Sequence, residues 1–344
     1  MTNNTYQELC SGYNIFSDFS NLSLTEFVTA LRLQTCICVL SRKRAGKSSA
    51  EMRLRMPYKE IKIIKNNPTL KGMARMIPDV VFSTAQGVEL KMQIFKPWES
   101  QENEQIRYPL IVFVQGSAWT FPDVYYEIPQ LAQFAREGYV VATLTHRNSL
   151  EGHPFPAFLE DVKTGIRFLR KHAEQYQIDP DKVGIWGTSS GGNTALLVGL
   201  TGDAIRYKTE EYREYSDAVK MVVDCFGPTD LTEAIDNIAL IPENMRPIFE
   251  GLRGEDTEEN VEKLRDINPI NHIQNGKGYP PFLILQGNRD DMVDYSQSEL
   301  IYHRLLDAGA DASMICVDGA PHEGSFWSNE LLGLIKEFID RNLS

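Results

Sequence analysis

Gly187-Thr188-Ser189-Ser190-Gly191 places a serine midway between two glycines. A short apolar run, Val183 to Trp186, leads into it, and a helix-like run starts at Asn193. Strand, sharp turn and helix with a serine at the apex is an arrangement that strains the serine backbone and points its hydroxyl into a cleft. Gly187 and Gly191 are needed because side chains there would collide with the neighbouring strand and helix. A bare G-x-S-x-G also arises by chance in Gly/Ser-rich turns, but the strand before it and the helix after it argue against chance. Such a hydroxyl becomes a nucleophile only with a base to take its proton and an acid to orient that base. It also needs donors facing the negative charge that develops on the substrate.

The acid is expected after a strand that follows the serine. Phe282 to Gly287 is such a strand, and Asn288-Arg289-Asp290-Asp291-Met292-Val293 is its loop. Asp290 and Asp291 are both candidates. Asp290, three residues past Gly287 and three before Val293, is better placed to turn back toward the sheet edge. An aspartate capping the helix that starts near Tyr295 is the alternative role for one of them, or for Asp294. The base is expected beyond the last strand, where Asp318-Gly319-Ala320-Pro321-His322-Glu323-Gly324 forms a tight loop. Of the six histidines, His322 alone is placed this way. His146 precedes the serine, His153 sits in a proline-rich loop, and His172, His272 and His303 read as surface positions. His322 would take the Ser189 proton and return it to the leaving group, with Asp290 fixing its tautomer.

The donors are backbone amides. One belongs to Ser190, the residue after the nucleophile and the start of a helix, where the dipole also favours negative charge. The others are expected in the loop after the buried strand Pro109 to Val114, which reads Gln115-Gly116-Ser117-Ala118-Trp119.

The chain here resembles the α/β-hydrolase esterases and lipases of the hormone-sensitive-lipase and feruloyl-esterase (BD-FAE-like) type. The stretch 115–119 stands where that family carries His-Gly-Gly-Gly-Trp. His153-Pro154-Phe155-Pro156-Ala157, Ile178-Asp179-Pro180-Asp181-Lys182-Val183, Phe226-Gly227-Pro228-Thr229-Asp230-Leu231 and Tyr295-Ser296-Gln297-Ser298 are similar to family segments, in order, over about residues 78–343. The resemblance implies an α/β-hydrolase fold with the triad Ser189, Asp290 and His322 and an oxyanion hole from Ser117, Ala118 and Ser190. It implies a serine carboxylic-ester hydrolase, of carboxylesterase type, acting through an acyl-enzyme on short acyl or aryl esters, acetyl or feruloyl groups on carbohydrate among them. Amide hydrolysis by an arylformamidase or a prolyl-oligopeptidase-type peptidase is the alternative, and a non-catalytic binding protein on the same fold is another. Gln115, Ser117 and Ala118 depart from the pattern. Amides survive any side chain, but alanine does not reach positive φ as cheaply as glycine, so a loop of different shape is expected. Gln115 is expected to hold it by side-chain hydrogen bonds.

Trp119, Phe121, Tyr126 and Phe326 lie near these loops in sequence and are candidate substrate-binding residues, although core packing would explain each aromatic equally well. No cofactor and no metal are expected. Gly46-Lys47-Ser48 resembles the end of a phosphate-binding loop, but the first glycine is replaced by Ser41 and no strand feeds it.

The elements that position these residues alternate between strand and helix. Strand-like runs at 80–84, 88–95, 109–114, 139–144, 183–186, 219–225, 281–286 and 313–317 are separated from 115 onward by helical patterns at about 127–137, 158–176, 193–200, 296–308 and 331–343. Such alternation gives a mostly parallel sheet covered on both faces, with ligands at the carboxyl ends of its strands. Residues 1–75 read as a helical N-terminal extension and 76–344 as the catalytic domain, with a small helical cap insertion at about 231–268.

With 344 residues and 42% hydrophobic content the chain is an ordinary globular protein. A net charge of −12 argues against nucleic acid or an anionic membrane as partner and leaves a small ester substrate; a homo-oligomer stays open. The five cysteines, Cys10, Cys36, Cys38, Cys225 and Cys316, are odd in number and irregularly spaced, as expected of thiols in a reducing compartment. The N-terminal residues lack a basic segment followed by an apolar one, so a cytoplasmic location is expected.

Overall fold

In the computed structural model, residues 62–98 and 105–343 are described. The chain divides into two units, Met1–Lys65 and Asn66–Ser344. Most of the expected helical extension lies outside the described residues. Its described part, 62–75, holds no helix, and Ala74 and Arg75 open the first strand instead; Pro68 lacks an amide donor, and Asn67 accepts from the Leu70 amide and donates through Nδ2 to the Lys71 carbonyl, closing turns.

Eight strands form one sheet: β1 (Ala74–Ala85), β2 (Val88–Pro97), β3 (Tyr108–Val114), β4 (Val140–Leu144), β5 (Ile178–Thr188), β6 (Val222–Cys225), β7 (Phe282–Gly287) and β8 (Ala312–Val317). Their order across the sheet is β1-β2-β4-β3-β5-β6-β7-β8. β1 and β2 form a hairpin, β2 meets β4 antiparallel, and every pair from β4 to β8 is parallel. The chain leaves β3 for β4 on one side and returns to β5 on the other. The loops after β3 and β5 therefore flank the switch point where ligands bind in open α/β sheets.

Alternation along the strands splits the core in two, because successive side chains point to opposite faces. Leu110, Val112 and Val114 of β3 join one cluster, and Ile111 and Phe113 join the other. Helices Ala157–Lys171, Ser190–Thr201 and Tyr295–Asp307 cover the first face; helices Ile128–Arg136 and Asn329–Leu343 cover the second. The expected helix 158–176 ends at Lys171 with His172 as its cap, after which one further turn, Ala173–Tyr176, leads into β5. β5 is longer than its apolar run because Ile178 pairs with Tyr108 before the register shift. β6 is shorter than 219–225, beginning at Val222.

Residues 231–268 contain three short helices, Thr232–Asp236, Arg246–Arg253 and Glu258–Arg265. The second packs on the proline-rich loop. The Phe155 amide donates to the Leu252 carbonyl at 2.9 Å, and a Cβ at Gly251 would stand 2.7 Å from the Ser149 carbonyl oxygen.

Candidate active site

Ser189 stands at the end of β5 with φ 51° and ψ −123°, immediately before helix Ser190–Thr201. Positive φ costs a residue with a Cβ on the order of 1–2 kcal/mol, and the surrounding contacts enforce it. A Cβ at Gly187 would lie 2.0 Å from the Gly191 carbonyl oxygen, and a Cβ at Gly191 2.0 Å from that of Val114. Both glycines let the turn close against the neighbouring backbone. The Ser189 amide donates to the Cys225 carbonyl at the end of β6, 2.9 Å away.

His322 and Asp290 arrive on loops that are tied together. Asn288 Nδ2 donates to Asp318 Oδ1 at 2.8 Å, and the Gly319 amide to Asn288 Oδ1 at 2.7 Å. The Arg289 amide donates to the Ala320 carbonyl at 3.0 Å. So held, His322 Nε2 lies 3.0 Å from Ser189 Oγ and His322 Nδ1 2.8 Å from Asp290 Oδ2. A hydrogen-bonded chain thus runs from hydroxyl to imidazole to carboxylate. Asp291 is exposed, and Asp294 caps the next helix by accepting from the Ser296 amide at 2.8 Å.

Asp290 accepts from four donors. The Met292 and Val293 amides reach Oδ1, each at 2.9 Å, and Gln286 Nε2 reaches Oδ2 at 2.9 Å beside His322. Burial acts to raise its pKa, but the His322 bond and the two amides outweigh burial and hold the carboxyl below its ordinary value. It is ionised wherever the imidazole needs it. Gln286 was not singled out by sequence reasoning. It is fully buried, donates also to the Val293 carbonyl and accepts from Ser298 Oγ at 2.8 Å. The signal was present: a polar residue closing the apolar run Phe282 to Leu285. Phe226 was missed too. Its φ is 47° and its ring meets the His322 imidazole edge-on, centroids 4.6 Å apart.

The loop after β3 differs from expectation in its details. The Gly116 amide donates to Thr188 Oγ1 and the Ser117 amide to Ser190 Oγ, each at 2.9 Å. Ser117 Oγ donates to the Thr120 carbonyl. The amide expected as a donor at Ser117 is therefore engaged. Among the described residues the amides of Ala118, Trp119 and Ser190 have no hydrogen-bond acceptor. Ala118 and Trp119 lie at φ 49° and 57°, so the loop takes the left-handed shape without the glycines. Gln115 does not tie the loop through its carbonyl, since Oε1 is buried without a donor.

Two of the four expected substrate-binding aromatics face inward. Phe326 is fully buried against Phe226 and Trp327, and Trp119 is buried beside Phe158. Each completes a core cluster, which is why a sequence position near the site misleads. Phe121 and Tyr126 are exposed, each at 59%. His146 is buried with its ring on the Arg147 carbonyl, and His272 is held by Arg206 and the Asp266 carbonyl; neither reaches Ser189. Among the described residues no group of three or more His, Cys, Asp or Glu side chains is arranged to hold a metal. No helix among them is long and apolar enough to cross a membrane.

A mostly parallel sheet covered on both faces, with serine, aspartate and histidine converging from its strand ends in that chain order, defines the α/β-hydrolase class. Within it, a model of the BD-FAE family matches residues 92–305, more than half of the chain, and the chain belongs to that family. The match takes in Ser189 and Asp290 and ends before His322. Esterase LipC of Mycobacterium tuberculosis is 26% identical over 217 residues, covering 62% of this chain and 52% of LipC. Isoprenylcysteine alpha-carbonyl methylesterase ICME of Arabidopsis thaliana is 25% identical over 238 residues, 67% of this chain and 54% of that protein. The chain spans about half the length of the curated relatives it matches. Among solved structures, a truncated carbohydrate esterase from gut microbiota superposes with a TM-score of 0.66 at 26% identity, covering 80% of this chain and 99% of that one. Propionate-bound Est2 of Thermogutta terrifontis superposes with a TM-score of 0.63 at 25% identity, covering 76% and 93%.

Proposed function

We propose that the protein is a serine carboxylic-ester hydrolase with Ser189 as nucleophile, His322 as general base and then acid, and Asp290 as its orienting carboxylate. The observation that carries this is the hydrogen-bonded chain Ser189–His322–Asp290. In acylation, Ser189 Oγ attacks the ester carbonyl carbon while its proton passes to His322 Nε2. The carbonyl oxygen gains the negative charge, facing the amides of Ala118 and Ser190. Collapse breaks the bond to the alkoxy oxygen, which takes the proton from His322 and leaves as an alcohol. Water then attacks the acyl-enzyme with His322 again as base, releasing the acid and regenerating Ser189. The Trp119 amide, unengaged and adjacent, is a third donor.

Small substrates with short acyl or aryl groups are the class we favour, acetyl and feruloyl esters of carbohydrate among them. The solved relatives, one a carbohydrate esterase and one holding propionate, support this choice. Phe121 and Tyr126 would contact the acyl or alcohol portion. Residues 231–268 would act as a cap that supports the proline-rich loop. An amide hydrolase would use the same triad, so the deciding experiment is a rate screen over acetyl, butyryl, octanoyl and feruloyl esters with a formanilide control. Rapid acetyl or feruloyl turnover is expected; fast formanilide turnover with inert esters would overturn the proposal. A fluorophosphonate should label Ser189 stoichiometrically, and an unlabelled protein would instead be a non-catalytic binder.

A further inference from the structure

On the sheet face opposite the serine-bearing helix, a cavity of about 310 Å³ opens between helix Ile128–Arg136 and the segment after His322. Its walls carry four aromatic side chains, Phe113, Tyr126, Trp186 and Trp327. Among them stands Glu127, only 7% exposed, whose Oε1 has no hydrogen-bond donor. Gln130, on the same wall, likewise leaves its buried Oε1 without a donor. A buried acceptor with no partner carries the desolvation cost of its unmade bond. Two on one cavity wall indicate a donor-bearing or positively charged occupant.

The rest of the wall narrows the choice. Both indole N–H groups are already engaged, Trp327 Nε1 with Glu323 Oε2 at 2.8 Å and Trp186 Nε1 with Cys225 Sγ at 3.3 Å. The indole donors are therefore not available to an occupant, and aromatic rings attract cations through their faces. Gln130 also carries amide N–H donors, so a polyol is the competing occupant that the test below includes. A metal ion would need about six oxygen ligands, which one carboxylate and one amide oxygen do not supply. Glu323 adds a second acid beside the cavity. It holds φ 65° and ψ −164°, a region occupied almost only by glycine, so its side chain is kept there against backbone strain.

We propose that this cavity binds a small organic cation, an ammonium group on a short aliphatic carrier, with Glu127 as counter-ion and the rings of Trp327, Trp186, Phe113 and Tyr126 as its enclosure. The site does not require the hydrolase reading: Ser189 is not among its lining residues, and Tyr126 is the residue it shares with the proposed substrate contacts. Burial, then the charge of Glu323, lifts Glu127 to about 8. Glu127 is thus protonated at neutral pH, and a cation that favours the carboxylate displaces that proton. The ionisable groups acting on Glu127 are Glu323 and Asp123, and His322 acts on Glu323.

The test uses the whole protein and three probes: choline, its uncharged isostere 3,3-dimethyl-1-butanol, and xylose. Binding is followed by tryptophan fluorescence, and proton release by calorimetry in buffers of different ionisation enthalpy. Choline should bind saturably, tighten as pH rises toward 8 and release a proton at pH 7. The butanol should bind at least about tenfold more weakly. Glu127→Gln, isosteric but uncharged, should weaken choline by about tenfold and abolish proton release, with Trp327→Leu weakening it severalfold. Gln130→Glu should tighten it, which tests the site even if Glu127→Gln fails to fold. Equal binding of choline and the butanol, preference for xylose, unchanged choline binding in Glu127→Gln, or no saturable binding would each overturn the proposal.

Discussion

The Ser117 amide donates to the Ser190 hydroxyl across 2.9 Å, linking the loop after β3 to the residue that follows the nucleophile. In the proposed mechanism the bond joins the two walls that would face the substrate carbonyl. It also engages the Ser117 amide, so the proposed donors are Ala118 and the Ser190 amide.

Replacing Ser190 by alanine removes that acceptor and leaves a half-buried donor without a partner. A loss of about 1–2 kcal/mol of stability is expected, read as a lower midpoint in urea denaturation. Fluorophosphonate labelling should persist, since Ser189 is untouched, whereas Ser189→Ala should abolish it.

Ala118 occupies φ 49°. Glycine there relieves strain of about 1–2 kcal/mol and costs about 0.4–1 kcal/mol through the looser unfolded chain. The first term is larger, so Ala118→Gly should hold or slightly raise the melting temperature. Ala118→Val should lower it, because a β-branched side chain tolerates positive φ less well. Equal melting of the two variants would contradict the assigned backbone.

Asp290→Asn should reduce kcat by about 10⁴ by mis-setting the imidazole. Gln286→Leu removes one of four donors to the same carboxylate, and a fall in kcat of about tenfold with little change in KM is expected. The Asp290 pKa is depressed, so its stabilising contribution is present above the unfolded value and lost as pH falls through the lower folded one. The urea-denaturation stabilities of the wild type and Asp290→Asn should therefore begin to converge at the ordinary aspartate value of about 4 and finish converging below it.

Glu127 and Asp224 shift the other way, each to about 8, first through burial. The native state keeps protons that the unfolded chain releases, so stability should fall as pH rises from the ordinary carboxylate range to about 8. Glu127→Gln and Asp224→Asn should flatten that decline, measured as urea denaturation at pH 5 and pH 8. A slope unchanged in both variants would show that neither carboxyl is protonated.

Gly187→Ala places a Cβ 2.0 Å from the Gly191 carbonyl oxygen. Backbone cannot give that distance without opening the turn, so loss of labelling at Ser189 is expected along with a lower melting temperature.

Much of this was legible in one dimension. The alternation of apolar strands and helices specifies a parallel, doubly covered sheet, because each buried run has to hide its backbone in a ladder and its faces under helices. Gly187 and Gly191 around Ser189, and loops at 290 and 322 behind later strands, follow from local rules of turn and strand end. What local rules do not encode is which neighbour each polar atom meets. That the Ser117 amide finds the Ser190 hydroxyl and that Phe226 meets His322 edge-on depend on segments distant in sequence arriving within 3–5 Å of one another. The same holds for aromatics. Trp119 and Phe326 sit beside the site in sequence, yet only packing against Phe158 and Phe226 turned them inward and left Phe121 and Tyr126 exposed.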